Sequence, residues 1–320
     1  MFSFAGKGKN KSVAAVVPGD MGIAVAMLGP ATGSGKPKLE LCDFTPWQDD
    51  CSPQELLARK VRELSLSKRP CTTVMGLGEY SIISVDAPDV PPAELRAALR
   101  WQVKDLIDFH IDDALIDVFD APPSGAHGQK KMLYVVVSRT STVRERVEQM
   151  QAAEANLTTI DIPELVLRNI TTRLPEDEGG VAMVYLARER GLVVVSREST
   201  LYFARTLDIG YDYLTQGLAD TDELSLENNA VFDRLVLEVQ RSLDYYDRYF
   251  QQPPVSALVL APTEISIPGL PAYLHDTLGL QVKLLDLAEI VECEQELSSQ
   301  QQAHCLAAVG AALREEATTL

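Results

Sequence analysis

Short apolar runs and amphipathic segments alternate along the chain and predict a mixed α/β fold. Three runs of strand length, at residues 13–17, 22–28 and 39–44, precede a helix that begins near Pro53. The apolar face of this helix consists of Leu56, Leu57, Val61 and Leu64. A fourth strand is predicted at 71–75, so the first part has the order strand-strand-strand-helix-strand.

The second half of the chain repeats this order. Apolar runs at 181–187, 191–196 and 201–207 are followed by a helix over 226–250 and a strand over 257–261. The apolar face of the long helix consists of Val231, Leu235, Val239, Leu243 and Tyr246. Two halves with the same order of elements predict a duplicated, two-lobed α/β fold with a cleft between two sheets. This is the actin-like (ribonuclease H-like) architecture.

A separate small α/β pattern interrupts the first half at residues 78–155. We therefore predict a first lobe formed by residues 1–77 and 156–174, an inserted subdomain at 78–155, and a second lobe at 175–320. Residues 174–180, LPEDEGG, combine proline, acidic residues and glycine, which favours a hinge between the lobes.

Two helices are predicted inside the inserted subdomain. The first covers residues 92–109, with an apolar stripe of Leu95, Leu99, Val103 and Leu106. The second is predicted to open with a capping box formed by Thr142 and Glu145. Arg100 and Trp101 lie just off the first stripe, a position that suits either a partner-binding edge or structural packing.

Residues 29–38, GPATGSGKPK, look at first like the phosphate-binding loop of a nucleotide enzyme. That motif requires G-x-x-x-x-G-K-[ST] between a strand and a helix. Here Pro30 stands at the first glycine, Pro37 replaces the hydroxyl residue that would bind Mg²⁺, and a strand follows instead of a helix. The segment therefore predicts a turn between the second and third strands, formed by residues such as Gly33, Ser34 and Gly35.

Composition and charge exclude several classes of protein. The 320 residues are 46% hydrophobic and carry a net charge of -17, which argues against nucleic acid as a partner. No run approaches the roughly 18 apolar residues of a membrane span, and the run at 13–17 is too short for a signal peptide. Five cysteines without a CxxC pair predict reduced thiols in a cytoplasmic protein.

The N-terminus is basic although the chain as a whole is acidic. Lys7, Lys9 and Lys11 follow Phe2 and Phe4. This segment either contacts an anionic membrane surface or is a solvated chain terminus, and the sequence leaves both interpretations open.

The sequence offers no pattern for catalysis or for a metal site. The histidines are scattered and form no triad with a nucleophile: His110, His127, His275 and His304. An acidic stretch lacks the spacing and the glycine of a calcium loop, so a solvated edge is expected for Asp105, Asp108, Asp112, Asp113 and Asp117. We predict no bound metal.

Four longer stretches resemble the PilM family of type IV pilus assembly proteins, relatives of the division protein FtsA. They are MFSFAGKGKNKSVAAVV at 1–17, LRAALRWQVKDLIDFHIDDALIDV at 95–118, LVLEVQRSLDYYDRYFQQPPVSALVLAP at 235–262 and IPGLPAYLHDTLGLQVKLLD at 267–286. The Arg-Ser-Leu-Asp signature and the Pro-Gly-Leu that follows it carry most of the likeness. The resemblance covers nearly the whole chain and implies an actin-like fold.

The chain departs from that family at the positions that would hold ATP. The positions that correspond to the nucleotide site are Gly19, Asp20, Gly22, Tyr185, Ala187 and Glu264. Tyr185 supplies neither a carboxylate for Mg²⁺ nor a glycine-like backbone, and Glu264 places a negative charge near the expected nucleotide. We therefore predict a pseudo-ATPase, not an enzyme, with no ATP or Mg²⁺. An active actin-like ATPase is the alternative.

The resemblance also implies partners and a location. It implies that the chain docks the cytoplasmic N-terminal tail of a bitopic inner-membrane protein of the PilN type (MshJ-type), in a groove between the first lobe and the inserted subdomain. Other pilus platform proteins are expected partners, and a homo-oligomer is left open. The protein is expected at the cytoplasmic face of the inner membrane of a Gram-negative bacterium. Without a membrane span it is most similar to the PilM-like component of mannose-sensitive haemagglutinin (MSHA) pilus systems. A related type II secretion component is a further alternative.

Overall fold

The computed structural model describes residues 2–3, 13–31, 33, 35–123, 131–216 and 226–315. The strands are β1 (Phe2–Ser3), β2 (Val13–Pro18), β3 (Gly22–Ala31), β4 (Pro37–Pro46), β5 (Cys71–Val74), β6 (Tyr80–Asp86), β7 (Ala114–Asp120), β8 (Met132–Arg139), β9 (Leu157–Asp161), β10 (Val181–Leu186), β11 (Gly191–Arg197), β12 (Thr200–Leu207), β13 (Ala257–Leu260) and β14 (Gln281–Leu284). The helices are α1 (Pro53–Glu63), α2 (Pro92–Val103), α3 (Thr140–Ala152), α4 (Pro163–Thr171), α5 (Tyr211–Thr215), α6 (Leu226–Phe250), α7 (Leu270–Leu278) and α8 (Ser299–Ala312).

Two of the three sheets are built in the same way. The first sheet has the order β1-β9-β5-β2-β3-β4 and the second has the order β12-β11-β10-β13-β14. In each sheet three antiparallel strands are followed, after a helical crossover, by two strands that pair in parallel. The predicted two-lobed, mixed α/β fold is therefore confirmed.

The third sheet, with the order β6-β8-β7, is formed by the segment between β5 and β9. All of its strands are antiparallel, and α2 covers one face. Leu99 and Val103 of α2 are fully buried against Val135 and Val137 of the central strand. This small core is the predicted inserted α/β unit.

The helices α4 and α8 lie between the two larger sheets. α8 packs against β2, β3, β4 and β5 of the first sheet, and against α4. Gly310 makes the contact with α4 close, because a Cβ at this position would lie 2.7 Å from the carbonyl oxygen of Val166. The side-chain amide of Asn169 donates to the Gly310 carbonyl at 3.0 Å. A single apolar core thus runs from one sheet to the other.

Two helices cross the predicted division of the chain. α8 belongs by sequence to residues 175–320 but packs on the first sheet. α3 belongs by sequence to residues 78–155, yet its Met150 is buried with Leu56 and Leu57 beside the first sheet. The domain boundaries given above remain a prediction.

Two local predictions in the inserted unit are wrong. β8 runs directly into α3, with Arg139 as the N-cap residue and no side-chain cap, so Thr142 and Glu145 form no capping box. α2 ends at Val103, and Leu106 therefore lies beyond the helix with 60% of its surface exposed.

The segment that imitates a phosphate loop joins β3 to β4. Gly35 has a φ of 79°, which only glycine adopts without strain, and the Lys36 ammonium donates to the carbonyl of Ala288 at 3.0 Å. The first residues of β4 also pair with the segment before α8: the Leu39 N–H donates to the Glu292 carbonyl and the Glu292 N–H donates to the Pro37 carbonyl, both at 2.9 Å.

Some predictions fall on residues that lie outside the described part of the chain. These are Phe4, Lys7, Lys9 and Lys11 of the basic terminus, Ser34, and His127. Within the described residues, no helix combines the length and the apolar character needed to cross a bilayer.

Candidate functional site

The first predicted nucleotide turn, between β2 and β3, is closed by its own backbone. The Gly19 N–H donates to the Gly22 carbonyl at 2.9 Å, and the Trp47 indole N–H donates to the Gly19 carbonyl at 3.0 Å. Gly22 is required by packing, since a Cβ here would lie 2.3 Å from the carbonyl oxygen of Thr45 on β4. Packing therefore explains the glycine at position 22, and the backbone of Gly19 closes the turn.

The second predicted turn joins β10 to β11. The Ala187 N–H donates to the Arg190 carbonyl at 2.8 Å, and the Ala187 carbonyl accepts from the Tyr211 N–H at 2.9 Å. Tyr185, two residues earlier, packs against the core between the lobes. Burial raises the pKa of Tyr185 to about 12, and the charges of Glu264 and Asp20 add to the shift. The structure thus brings Asp20, Tyr185 and Glu264 into electrostatic contact, although they lie far apart in the sequence.

Glu264 is the centre of a row of side chains that crosses the cleft. Its Oε2 accepts a hydrogen bond from the Tyr211 hydroxyl at 3.0 Å, and its Oε1 lies 3.3 Å from Nδ1 of His304 on α8. The His304 ring stacks on Phe44 of β4, with ring centroids 3.7 Å apart and planes 5° apart. We call Tyr211, Glu264, His304 and Phe44 the cleft row.

The chemistry of the cleft differs from that of a metal-phosphate site. At two of the positions that the resemblance assigns to the nucleotide site stand Tyr185 and a hydrogen-bonded glutamate, Glu264, whereas a metal-phosphate site needs magnesium ligands and glycine amides. Within the described residues, no group of three or more His, Cys, Asp or Glu side chains is placed to hold a metal ion.

The two residues predicted at a partner-binding edge have different roles. The Arg100 guanidinium donates to the carbonyls of Ala114 and Ile111, at 3.0 Å and 2.5 Å, and so ties α2 to the start of β7. Trp101 is 72% exposed, and its ring is covered only by the Lys104 ammonium at 4.8 Å from the ring centroid. The structure therefore leaves Trp101 accessible and assigns Arg100 to packing.

A cavity of about 450 Å³ lies between strands of the second and third sheets, and the first turn of α4, the helix that follows β9 of the first sheet, forms part of its wall. We call it the three-sheet cavity. β6 and β12, the outer strands of the third and the second sheet, line it on opposite sides, and the last turns of α6 close it. The aromatic side chains that line it are Tyr80, Phe119, Tyr134, Phe203, Tyr245 and Tyr249.

Glu164, in the first turn of α4, forms part of the cavity wall and is only 4% exposed. The Tyr80 hydroxyl donates to its Oε2 at 2.5 Å. Burial raises the pKa of Glu164, and burial together with the neighbouring Glu164 charge raises the pKa of Tyr80. Glu164 is the only charged residue among the described residues that line the cavity.

The sequence contains only a partial signal for this cavity. Tyr246, on the predicted apolar face of the long helix, packs in the core, and so does Phe250. Tyr245, in contrast, is 45% exposed and lines the cavity together with Tyr249. The cluster of aromatic residues at the C-terminal end of α6 was therefore the one feature of the sequence that pointed to this cavity.

Comparison with known proteins connects this architecture to one family. A family model described as type IV pilus assembly protein PilM matches residues 54–233, more than half of the chain. A solved PilM–PilN type IV pilus biogenesis complex is similar in fold, with a TM-score of 0.73 and 19% identity over 95% of this chain and 98% of the other. The predicted actin-like fold is thereby confirmed.

Two further solved structures are similar over most of their length. The cytoplasmic domain of EpsL, an inner-membrane component of the type II secretion system of Vibrio cholerae, has a TM-score of 0.49 and 13% identity, with 96% of this chain and 97% of that chain covered. The ethanolamine utilization protein EutJ from Carboxydothermus hydrogenoformans has a TM-score of 0.47 and 13% identity, with 97% and 92% covered. No curated protein sequence matches the chain.

Proposed function

Because the chain belongs to the type IV pilus assembly protein PilM family, we propose that it is a non-catalytic adaptor of a type IV pilus assembly platform. Its task is to hold the cytoplasmic N-terminal tail of a bitopic inner-membrane protein of the PilN type. The partner's membrane span places the adaptor at the cytoplasmic face of the inner membrane. We further propose that it serves an MSHA pilus system of a Gram-negative bacterium in the role of MshI, with a partner of the MshJ type.

The observation that carries this proposal is the three-sheet cavity. It adjoins the first lobe at Glu164 and the inserted unit along β6, and the resemblance implies a docking groove between these two parts of the chain. Its volume of about 450 Å³ lies in the range of about 300–1,000 Å³ that is typical of ligand sites. Since β6 and β12 are outer strands, their backbones can pair with an extended segment, which is a common way to bind a peptide.

The cleft supports the non-catalytic part of the proposal. A nucleotide there would have to displace Tyr185 and break the contacts of Glu264 with Tyr211 and His304. The Glu264 carboxylate would also repel the phosphates. The cleft row instead joins the second lobe to α8 and β4, an arrangement that fixes the angle between the lobes without ATP.

Binding of the tail is tested by calorimetry with the full chain and a synthetic peptide of the partner's cytoplasmic tail. Ser84 lies on β6, exposed and facing the cavity, so Ser84→Trp fills part of the space without touching the core. We expect this variant to lose binding. Ser141→Trp, at an exposed position on α3 away from the cavity, is the matched control and should bind like the wild type. Equal binding by both variants would place the tail elsewhere.

The non-catalytic part is tested with Mg-ATP in the same instrument. We expect no heat of binding at micromolar protein and no phosphate release. Clear micromolar binding would instead support the alternative, an actin-like ATPase of the same pilus or of a type II secretion machinery.

A further inference from the structure

Glu164 is a buried carboxylate with no ion-pair partner among the described residues. The other buried carboxylate of this region, Asp161, pairs with Arg314 at 3.2 Å. Within the described part of the chain, no lysine or arginine lies within ion-pair distance of Glu164, which accepts from the Tyr80 hydroxyl instead. Arg190 reaches Gly78 at the edge of the cavity but makes no ion pair with Glu164. A buried carboxylate without a counter-charge is costly, and its retention requires a reason.

Aromatic rings form part of the cavity wall on two sides. On the second-lobe side, Tyr245 and Tyr249 stack with centroids 5.0 Å apart, and Phe203 lies 5.1 Å from Tyr245. On the inserted-sheet side, Phe119 and Tyr134 lie 5.3 Å apart. Ring faces attract cations, most strongly where water is excluded.

The separation of these walls is held by a hydrogen bond. The Tyr134 hydroxyl on β8 donates to the Tyr202 carbonyl on β12 at 2.6 Å, and so joins the inserted sheet directly to the second sheet. The cavity therefore has one carboxyl group and several aromatic side chains, and no lysine or arginine is among the described residues that line it.

We propose that the three-sheet cavity selects a docked segment with a cationic group, which passes between the aromatic walls and pairs with Glu164. The group is a lysine or arginine side chain of the partner's tail or the amino terminus of that tail. This inference rests on the proposed function, because it assumes that the tail occupies this cavity. It adds the chemical property by which the tail is recognised.

The experiment measures the affinity of the full chain for four synthetic peptides of the partner's tail. One is unmodified, one has an acetylated amino terminus, one has every arginine replaced by citrulline, and one has every lysine replaced by norleucine. We expect one modification to weaken binding to the wild type by about tenfold or more. The modification that does so identifies the source of the cation.

Two variants of the chain connect this loss to Glu164. In Glu164→Gln the same modification should change affinity by less than about threefold, because no carboxylate remains to be paired. Glu94→Gln removes an equal charge at an exposed position of α2 and should behave like the wild type. If Glu164→Gln does not fold, equal binding of all four peptides by the wild type still overturns the inference.

The outcomes separate this inference from the proposed function. If the unmodified peptide binds and all modified peptides bind equally well, the inference is wrong and the adaptor function stands. A loss on modification that is equally large in Glu164→Gln also overturns it, since the cation would then be bound elsewhere. If no tail peptide binds the wild type, the proposed function fails and this inference fails with it.

Discussion

Arg314 and Asp161 form the most deeply buried ion pair of the described chain, and it connects the end of α8 to β9. The Arg314 side chain is 10% exposed and that of Asp161 is 0% exposed, with Nη1 and Oδ2 3.2 Å apart. Oδ1 of Asp161 also accepts the Ile162 N–H at 2.9 Å. We predict that Arg314→Gln strongly destabilises the protein, because it leaves a buried carboxylate without its cation.

The expected magnitude follows from the burial of the pair. Removing one partner of a buried ion pair costs about 3–5 kcal/mol. Arg168, whose guanidinium also interacts with the Asp161 charge, replaces part of the lost attraction. We therefore expect roughly 3 kcal/mol, near the lower end, which corresponds to a decrease in melting temperature of roughly 5–10 °C in a protein of this size.

A double-mutant cycle with Asp161→Asn measures the interaction itself. Thermal unfolding of the wild type, both single variants and the double variant is followed by circular dichroism. The double variant should be markedly more stable than the sum of the single losses predicts, because two neutral amides replace the pair. A decrease of less than 2 °C for Arg314→Gln, or strict additivity in the cycle, would refute the reasoning.

Three further predictions concern other parts of the molecule. Gly310→Ala should lower the free energy of unfolding by about 1–3 kcal/mol, because the new Cβ would clash with the backbone of α4. Gly33→Ala is the control, since a Cβ there would meet nothing within 4 Å. Equal urea midpoints for the two variants would contradict this prediction. Since the pKa of Glu164 is raised by burial, its stabilising contribution is greatest at low pH and is lost as the pH rises through that pKa. Relative to the wild type, Glu164→Gln should therefore gain melting temperature from pH 4.5 upward, and a pH-independent difference would be evidence against this. Arg100→Ala should lower the free energy of unfolding by about 1–3 kcal/mol, because two hydrogen bonds to backbone carbonyls are lost. Trp101 is 72% exposed, so Trp101→Ala should change the free energy of unfolding by no more than about 0.5 kcal/mol. Melting curves that show Trp101→Ala as the less stable variant would contradict this assignment.

The order of strands and helices could be predicted because buried strands and helix faces appear in the sequence as apolar runs and apolar stripes. β10 and β11 are covered on both faces, so they appear as continuous apolar runs, and α6 shows its buried face as a stripe that ends at Tyr246. The ends of elements were harder to predict. The start of α3 is set by the direct continuation from β8, which leaves no capping signal at Thr142.

The candidate cavity could not be predicted, because its parts come from distant segments. Tyr80, Glu164 and Tyr245 meet only after the three sheets are assembled, and each has an ordinary local explanation. Glu164 in particular looks like a common acidic residue in the first turn of a helix. The family resemblance predicts the positions of the nucleotide site, and the contact of Glu264 with His304 depends on how α8 packs.

The pairing of β4 with Glu292 has a consequence for contacts between molecules. β4 is the outer strand of the first sheet, and outer strands offer free N–H and C=O groups to which a strand of another chain can add. The bonds of Pro37 and Leu39 with Glu292 already use those groups at the start of the strand. A second copy of the protein therefore cannot add a strand at the start of β4 without first displacing this segment. The pairing with Glu292 thus opposes fibre growth along this part of the sheet edge.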